Sequence, residues 1–537
     1  MRDDVHIVRA DDLSDQTPQT HGLQRFEAVS ARRLGSENLW MGLSILPAGG
    51  RTGVHHHGES ETALYVLSGV GRWWVGDRLG TPREAHPGDF VYIKPNVVHW
   101  EENASQTEPV RMIVARTTQD AIVVNLDEHP FAPDLSGGRL PMPDRPRALV
   151  VGGSFGGLTV ALLLREQGFE VDLFERSSAL LEGRGGGIVL QPDTVRWVTE
   201  RRRDLEVPDV SIGSSVLRYL GADNEIVHEE PAAWRFSSWT TLYRTLLDDF
   251  GTEHYHLGES AVGVDQDGDT AEVRFLSGRR ERGALVVFAD GISSTGRRRL
   301  LPAVRPIYSG YVGWRGTVPE AEVSDETRKL LDDALGYAVV ERSHICMYPI
   351  PGRQGELDRG HRLLNYVWYR NVAEGPALDE LMTDVRGQTA AVSVPAGKVQ
   401  QRYVDELKAS APGLLPPAAA ELVVRTAQPY IQSVIDVAVP QMAFGRVALL
   451  GDAAFAARPH AAAGTAKAAA DAWALADALA AHGNDVVAAL RSWEPDRLAL
   501  GEDLIRRNTE MGARAQFTGT WDPADPGLHF GLYGPDR

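Results

Sequence analysis

Two kinds of apolar pattern divide this chain. Over residues 20–126, short runs such as TALYVLSG and VRMIVART are rich in β-branched and aromatic residues, and Gly, Pro and Asn turns separate them. That pattern is typical of an all-β sandwich or barrel. From residue 148 onward, ALVVGGSFGGLTVALLLREQGFEVDLFER places an apolar strand, a Gly-rich turn, an apolar helix and a second strand in succession. This order is typical of a parallel α/β unit, so the fold class changes there.

The remaining pattern sets the predicted domain boundaries. Pro and Gly without an apolar period predict a linker before the α/β unit. Strands and helices then mix, until GRVALLGDAAFAARP and a long Ala-rich helix restore the α/β pattern. We predict a multidomain fold, in which an all-β barrel precedes a Rossmann-like α/β domain with an inserted α+β domain. The predicted segments are 1–130 for the barrel, 131–147 for the linker, 148–309 for the first part of the α/β domain, 310–440 for a substrate-binding mixed sheet, and 441–537 for the second part of the α/β domain with C-terminal helices.

Composition narrows the classes of function. The 537 residues carry a net charge of −18, which argues against a nucleic-acid partner and against an anionic membrane surface. The single cysteine, Cys346, excludes an intramolecular disulfide framework and a four-cysteine zinc site. No apolar run of about 18 residues and no apolar leader is present, so we expect a soluble, cytoplasmic protein.

Histidine is concentrated at the front of the chain, where GVHHHGESETALYVLSG places His55, His57 and Glu61 close together. Residues i and i+2 of a strand share one face, so the two histidines can point into one cavity, and Glu61 has even spacing from both. His99, at the end of a later strand, is the expected fourth ligand. Three imidazoles and a carboxylate suit Fe(II), Mn(II), Ni(II) or Zn(II). Three adjacent histidines alone are equally compatible with a solvated surface run.

At these residues the chain resembles the cupin superfamily. The first family motif is matched by Gly49, His55, His57, Glu61 and Gly69, although the spacing from Glu to Gly is one residue longer than the consensus. The second motif is matched by Pro87, Gly88, Asp89, Pro95, His99 and Asn103. The resemblance covers residues 20–126. It implies a small β-barrel that holds one metal, with Fe(II) as the expected ion and His55, His57, Glu61 and His99 as its ligands.

The Gly-rich turn indicates a dinucleotide. Gly152, Ser154 and Gly157 lie between an apolar strand and a helix, and Glu175 ends the next strand with Arg176 directly after it. Glycines let the backbone approach a pyrophosphate, the helix N-terminus favours its charge, and the carboxylate binds ribose hydroxyls. The alternative is a tight turn without a ligand.

Two later motifs identify that dinucleotide. FADGISSTGRR contains Asp290 and Gly291, and LLGDAAFAARP contains Gly451, Asp452 and Pro459. Together they resemble the DG and GD motifs of the single-component flavoprotein aromatic hydroxylases, in which these residues contact FAD. Arg244 matches an arginine that lies beside the FAD phosphates in that family. Segments such as GYVGWRGTVP and RPHAAAGTAKAAADA look like the subgroup of 2,6-dihydroxypyridine 3-hydroxylases.

The resemblance implies a reaction. FAD is reduced by NADH or NADPH and adds O2, and the resulting flavin C4a-hydroperoxide hydroxylates a small, electron-rich aromatic or N-heteroaromatic ring. The protein binds, orients and shields the reacting groups. Gly464 and Thr465, at the start of a helix, are expected to stabilise the anionic flavin.

Polar residues of the middle segment are the candidates for substrate binding and catalysis. Arg315 can pair with an oxyanion or carboxylate, and Tyr348 and His460 can orient the ring or take its proton. Trp368 can form a wall of the site. Each has a structural alternative: Arg315 can anchor the sheet, His460 can cap a helix, and Trp314 and Trp368 can belong to the core.

Three hypotheses remain open for the whole chain. In the first, the flavin part hydroxylates the ring and the metal-binding cupin carries a second step, such as dioxygenation or ring cleavage. In the second, the cupin only dimerises or scaffolds a hydroxylase. In the third, the chain is a flavin-binding sensor without turnover. We expect a homodimer with no membrane or nucleic-acid partner.

Overall fold

The computed structural model divides the chain into two compact units. The first comprises residues 1–144 and 258–282, and the second comprises residues 145–257 and 283–537. Of the predicted linker at 131–147, all but residues 146 and 147 lie outside the described part of the chain. The described residues are 5–9, 12–14, 17, 20, 22–75, 82–105, 107–118, 122–125, 146–181 and 186–537.

Short antiparallel strands build the front of the first unit. They are β1 Gln24–Val29, β2 Trp40–Leu46, β3 His55–His56, β4 Thr62–Ser68, β5 Gly71–Val75, β6 Arg83–Ala85, β7 Phe90–Ile93, β8 His99–Asn103, β9 Val110–Arg116 and β10 Val124–Asn125, with one short helix, α1 Ala31–Leu34. Within the described residues they form two sheets, with strand orders β1-β2-β9-β4-β7 and β10-β3-β8-β5-β6. Strands such as β4 and β9 alternate buried and more exposed residues, as a sheet with one face toward a core requires. Leu64, Val66 and Met112 belong to that core.

Strands and helices are mixed in the rest of the chain. Its strands are β11 Arg147–Val151, β12 Glu170–Glu175, β13 Gly187–Val189, β14 Ile212–Leu220, β15 Ile226–Ser238, β16 Tyr255–Leu257, β17 Ala261–Gln266, β18 Ala271–Phe275, β19 Arg280–Gly283, β20 Leu285–Phe288, β21 Ile307–Pro319, β22 Ala334–Val340, β23 Ser343–Ile350, β24 Leu363–Asn371, β25 Ser393–Val394, β26 Tyr430–Asp436, β27 Ala443–Phe444 and β28 Val447–Leu449. Its helices are α2 Phe155–Glu166, α3 Pro192–Arg201, α4 Trp239–Phe250, α5 Thr295–Leu300, α6 Asp325–Leu331, α7 Pro376–Leu381, α8 Gln401–Leu414, α9 Pro417–Arg425, α10 Gly464–Ala481 and α11 Val486–Ala513.

Two sheets organise the second unit. The first has the order β16-β12-β11-β20-β28-β27 and is parallel except for the β27–β28 pair. Its central strands are apolar and fully buried, as parallel strands covered on both faces must be. The second sheet has the order β13-β15-β14-β22-β23-β24-β21-β26-β25. It packs one face against α8 and α9, and its other face forms part of the site described below.

The strands β17, β18 and β19 form a small antiparallel sheet that belongs to the first unit. Val262 and Leu276 pack there against Phe26, Leu43 and Ile45 of the front strands. Among the described residues, no helix combines the length and the hydropathy needed to cross a bilayer.

Candidate flavin cavity and metal centre

The second unit encloses a cavity of about 530 Å³. One side is formed by the turns after β11, β20 and β28 and by the start of α10, and the other side is one face of the β13–β25 sheet. The predicted residues that line it are Ser154, Gly291, Arg315, Tyr348, Gly451, Asp452, Pro459, His460, Gly464 and Thr465. The predicted residues that do not line it are Gly152, Gly157, Glu175, Arg176, Arg244 and Asp290.

The Gly-rich turn has glycines because nothing larger fits. Gly152 has φ +106°, and a Cβ there would lie 2.3 Å from the Ala289 carbonyl oxygen. A Cβ on Gly157 would lie 1.8 Å from the Gly152 carbonyl oxygen. Ser154 is the N-cap of α2 but makes no side-chain cap hydrogen bond. The N-terminal N–H groups of α2 therefore remain available to an anion at the cavity wall.

Glu175 is hydrogen-bonded to the turn itself. Its Oε2 accepts from the backbone N–H of Gly153 at 2.9 Å, and its Oε1 accepts from Ser177 N–H at 2.9 Å. The buried carboxylate thus holds the Gly-rich turn in place through its backbone. Arg176 and Arg244 have exposed side chains, and neither lines the cavity.

The Asp of the DG motif is hydrogen-bonded within its own loop. Asp290 Oδ2 accepts from Thr295 N–H at 2.6 Å, while Oδ1 is buried without a hydrogen-bond partner among the described residues. Burial raises the pKa of Asp290. Arg297, which is 1% exposed, donates to the carbonyl oxygens of Ile292 and Ala453. It therefore ties the DG loop to the GD loop.

A buried ion pair holds the GD motif. Lys467 Nζ lies 2.7 Å from Asp471 Oδ2, and that oxygen also accepts from Gly451 N–H at 3.0 Å. Burial raises the pKa of Asp452 to about 6, although Lys467 acts against this shift. Sequence reasoning missed the pair. Its signal was a Lys and an Asp four residues apart in an Ala-rich helix.

These groups fit a flavin dinucleotide. Two uncapped helix N-termini, those of α2 and α10, border one cavity, and the Asp290 Oδ1 has no partner among the described residues. Glycines clear the backbone at Gly152 and Gly451, both with positive φ. Such a site suits phosphate groups and an anionic ring.

The sheet face opposite these turns is aromatic and polar. His344, Cys346 and Tyr348 alternate along β23 and all line the cavity, as residues two apart on a strand do. Arg315 lies beside Tyr430: a Cβ on Gly186 would lie 3.4 Å from Arg315 Nη1 and 2.7 Å from the Tyr430 hydroxyl. Burial raises the pKa of Tyr348, so its hydroxyl stays protonated.

His460 belongs to a buried cluster. Its Nε2 lies 2.6 Å from the Tyr311 hydroxyl, and its ring centroid lies 5.2 Å from that of His344. His344 Nδ1 in turn lies 2.8 Å from Gln516 Nε2. Burial lowers the pKa of His460 well below its usual value and that of His344 to about 3, so both rings are neutral. Sequence reasoning missed His344, which the alternation back from Tyr348 would have found.

Trp368 points away from the cavity. It and Trp314 are buried in the core between the sheet and α8 and α9. Trp368 Nε1 donates to Ser343 Oγ at 3.0 Å. The alternative that both tryptophans are core residues is the one that the structure supports, because they alternate with the cavity-facing positions of β21 and β24.

In the first unit, His55, His57 and His99 form a buried cluster. One ring nitrogen from each lies within 4.8 Å of the others. Nδ1 of His55 is 2.9 Å from the Gly53 carbonyl oxygen, and Nδ1 of His99 is 2.8 Å from that of Val97. Their Nε2 atoms are buried without hydrogen-bond partners in the described part of the chain. Burial lowers the pKa of His55 to about 3. Imidazoles with Nδ1 held by a carbonyl oxygen and Nε2 directed inward fit a metal ion.

Glu61 does not join this cluster, which corrects the predicted ligand set. Its side chain is exposed and its Oε1 accepts from the Tyr92 hydroxyl. The even spacing fails because the chain turns at Gly58, between β3 and β4, so strand parity does not carry across. Thr62, the next residue, points inward and lies 2.8 Å from His57 Nδ1. Glu101 of β8, absent from the prediction, is the buried carboxylate near the cluster.

Three segments of the chain match known protein families. Residues 42–116 match the family described as Cupin domain, 150–180 match the NAD(P)-binding Rossmann-like domain, and 308–436 match the FAD binding domain-like family. The chain is 41% identical over 392 residues to the 2,6-dihydroxypyridine 3-monooxygenase of Paenarthrobacter nicotinovorans, an alignment that covers 73% of this chain and 96% of that protein. It is 26% identical over 396 residues to the 6-hydroxynicotinate 3-monooxygenase of Bordetella bronchiseptica, which covers 66% and 88% of the two chains.

A solved structure shows the same similarity. The 2,6-dihydroxypyridine-3-hydroxylase from Arthrobacter nicotinovorans superposes with a TM-score of 0.69 at 40% identity, covering 74% of this chain and 99% of that one. The predicted combination of a cupin domain with an FAD-binding Rossmann-like domain is thereby confirmed. The chain belongs to the FAD-dependent aromatic monooxygenases, the family that contains 2,6-dihydroxypyridine 3-monooxygenase, and it carries a cupin domain in addition.

Proposed function

We propose that the second unit hydroxylates a small, hydroxylated N-heteroaromatic ring with NAD(P)H and O2. One observation carries the proposal: Arg315, Tyr348 and His460 share one cavity with the DG and GD loops. The identity to 2,6-dihydroxypyridine 3-monooxygenase supports a hydroxypyridine as the substrate class. In this proposal the β13–β25 sheet is the inserted substrate-binding domain.

FAD, when bound, supplies the redox chemistry, since it takes electrons from NAD(P)H and activates O2. The chain holds it through the turn at Gly152, the loops at Asp290 and Asp452, and the N–H groups at Gly464 and Thr465. The start of α10 favours negative charge, as any helix N-terminus does.

The sheet face selects and orients the ring. The Arg315 guanidinium is a permanent cation among phenols, so it pairs with an oxyanion of a hydroxylated ring. Tyr348, kept protonated, donates to a ring oxygen or nitrogen. The Tyr311 hydroxyl lies 2.6 Å from His460 Nε2, so this ring nitrogen is already engaged in a hydrogen bond within the protein. Of the two roles predicted for His460, this favours orientation of the ring over removal of its proton.

Steady-state turnover tests this function. The purified full-length protein is supplied with NADH or NADPH, and oxygen uptake is followed with a panel of hydroxypyridines and phenols. We expect at least one hydroxypyridine to stimulate oxidation and to gain one oxygen atom by mass. If no member of the panel stimulates oxidation in flavin-replete protein, the proposed substrate class is wrong.

We further propose that the cupin binds a divalent metal and oxidises the hydroxylated product. Three buried imidazoles with converging ring nitrogens carry this proposal, because a scaffold has no use for such a cluster. A metal there would bring O2 and an electron-rich ring together. Ring cleavage would break the bond between two ring carbons and leave one oxygen atom of O2 on each of them. The ring itself would supply the four electrons that reduce O2, so no external reductant would be needed. The alternative is a cupin that only dimerises the chain.

The His57→Ala/His99→Ala variant separates these two readings. We expect the variant to accumulate the hydroxylated product that the parent consumes, with the hydroxylation rate unchanged. An identical product spectrum in parent and variant would leave the cupin as a scaffold. Light scattering of both proteins tests the proposed homodimer.

A further inference from the structure

Glu101 faces the coordinating side of the histidine cluster. It lies on β8 two residues after His99 and is 2% exposed. Its Oε2 is 3.9 Å from His55 Nε2, and its Oε1 is 3.7 Å from His99 Nε2. Thr52 Oγ1 donates to Oε2 at 2.8 Å and accepts from the Glu101 N–H at 2.8 Å, so the carboxylate is held in this position.

The imidazole nitrogen that a carboxylate faces shows whether the carboxylate is a metal ligand or supports a histidine ligand. A carboxylate that supports a metal-binding histidine accepts from the N–H on the far side of the ring. Here the far-side Nδ1 atoms of His55 and His99 lie against the backbone carbonyl oxygens of Gly53 and Val97. Glu101 is directed at the Nε2 atoms instead, which is the side that a metal would occupy.

The distances suit a shared cation. Ligand atoms about 2.1 Å from a metal are about 3.0 Å apart at right angles and about 4.2 Å apart in opposite positions. The separations of 3.7 and 3.9 Å fall between these limits. The carboxylate would also supply the negative charge that imidazole ligands do not. Buried Arg25 contributes positive charge nearby, so a counter-ion role for Glu101 is the competing explanation.

We propose that Glu101, rather than Glu61, is the carboxylate ligand of the metal held by His55, His57 and His99. β8 then supplies two ligands at positions i and i+2, and Thr62 occupies the inward position that follows Glu61. The proposal rests on the metal site proposed above and specifies its ligands.

Two isosteric variants of the full-length protein test it. Glu101→Gln and Glu61→Gln each remove one charge, one inside the cluster and one on the surface. Mn²⁺ affinity is measured by competition with a chelator, and the Mn²⁺ EPR spectrum is recorded. We expect Glu101→Gln to weaken Mn²⁺ binding by about tenfold or more and to change the spectrum, because loss of a ligand should cost at least as much as loss of a supporting group. Glu61→Gln should match the parent in both measurements.

Other results overturn the idea in separable ways. If the parent and His57→Ala bind Mn²⁺ equally weakly, the metal site itself fails. If the parent binds and Glu101→Gln matches it, or if Glu61→Gln alone loses the ion, only the ligand proposal fails. Should Glu101→Gln unfold, Glu101→Asp keeps the charge and shortens the reach: an altered EPR spectrum supports ligation, whereas an unchanged one indicates the counter-ion to Arg25.

Discussion

Removing the Lys467 ammonium should destabilise the flavin unit strongly. Its Nζ lies 2.7 Å from Asp471 Oδ2, and the two side chains are 1% and 0% exposed. Lys467→Met would leave that carboxylate buried, with an Oδ1 that has no partner among the described residues. Loss of one partner from a buried pair costs about 3–5 kcal/mol. We expect the free energy of unfolding of the apo protein, from urea titration with a near-ultraviolet probe, to fall by about that amount.

A second variant tests whether the unpaired buried charge causes this loss of stability. Lys467→Met/Asp471→Asn removes both charges but keeps an acceptor for the Gly451 N–H, which now donates to Asp471 at 3.0 Å. The double variant should therefore be more stable than Lys467→Met alone, and the coupling follows from a double-mutant cycle. FAD affinity should follow the same order, since the pair holds the GD loop. If Lys467→Met stays within about 1 kcal/mol of the parent, or if the effects of the two substitutions are strictly additive, the unpaired buried carboxylate is not the cause of the destabilisation.

Three further predictions concern the second unit. Arg315→Gln should raise the KM for a hydroxylated ring about 10–100-fold with the flavin spectrum unchanged, because a charge-assisted hydrogen bond contributes about 1.5–3 kcal/mol; an unchanged KM would exclude Arg315 from substrate binding. Burial raises the pKa of Asp452 from 3.8 to about 6, so its contribution to the stability of the apo protein is full below about pH 4 and is lost as pH rises through 6. Urea titrations between pH 4 and 7 should show that the free energy of unfolding depends less on pH in Asp452→Asn than in the parent. If the two pH dependences are identical, another titrating group is responsible. Gly152→Ala should lower the melting temperature and the bound FAD more than Gly168→Ala, since both have positive φ but only the first Cβ meets backbone, at 2.3 Å; equal effects would show that strain alone matters.

Local pattern was enough to predict the parts of this fold that local sterics and periodicity decide. The change from alternating to helical periodicity separated the β-rich front from the α/β part. The Gly152 turn was predictable because only glycine fits there. The residues of the DG and GD motifs that line the cavity follow strand ends, which the apolar runs locate.

Contacts between distant segments were beyond such reasoning. Glu61 was predicted as a ligand by extending strand parity through a turn, and the turn reversed it. Glu101 was missed although it shares the face of His99, because nothing local marks which buried carboxylate meets the cluster. The Lys467–Asp471 pair holds the GD loop only because Asp471 accepts a hydrogen bond from Gly451, which is distant in sequence. The predicted domain boundaries remain predictions.

The small β17–β19 sheet has a consequence for synthesis. Phe26, Leu43 and Ile45 of the front strands are covered by Val262 and Leu276. On the ribosome, this packing cannot form until β17 and β18 have been translated, and they follow β11 to β16 in the chain. Until then, the apolar surface of the front strands stays exposed. A fragment ending at residue 130 would keep that surface permanently open and should aggregate more readily than the full chain. The first unit is therefore discontinuous in sequence, and a cut after residue 130 does not release it whole.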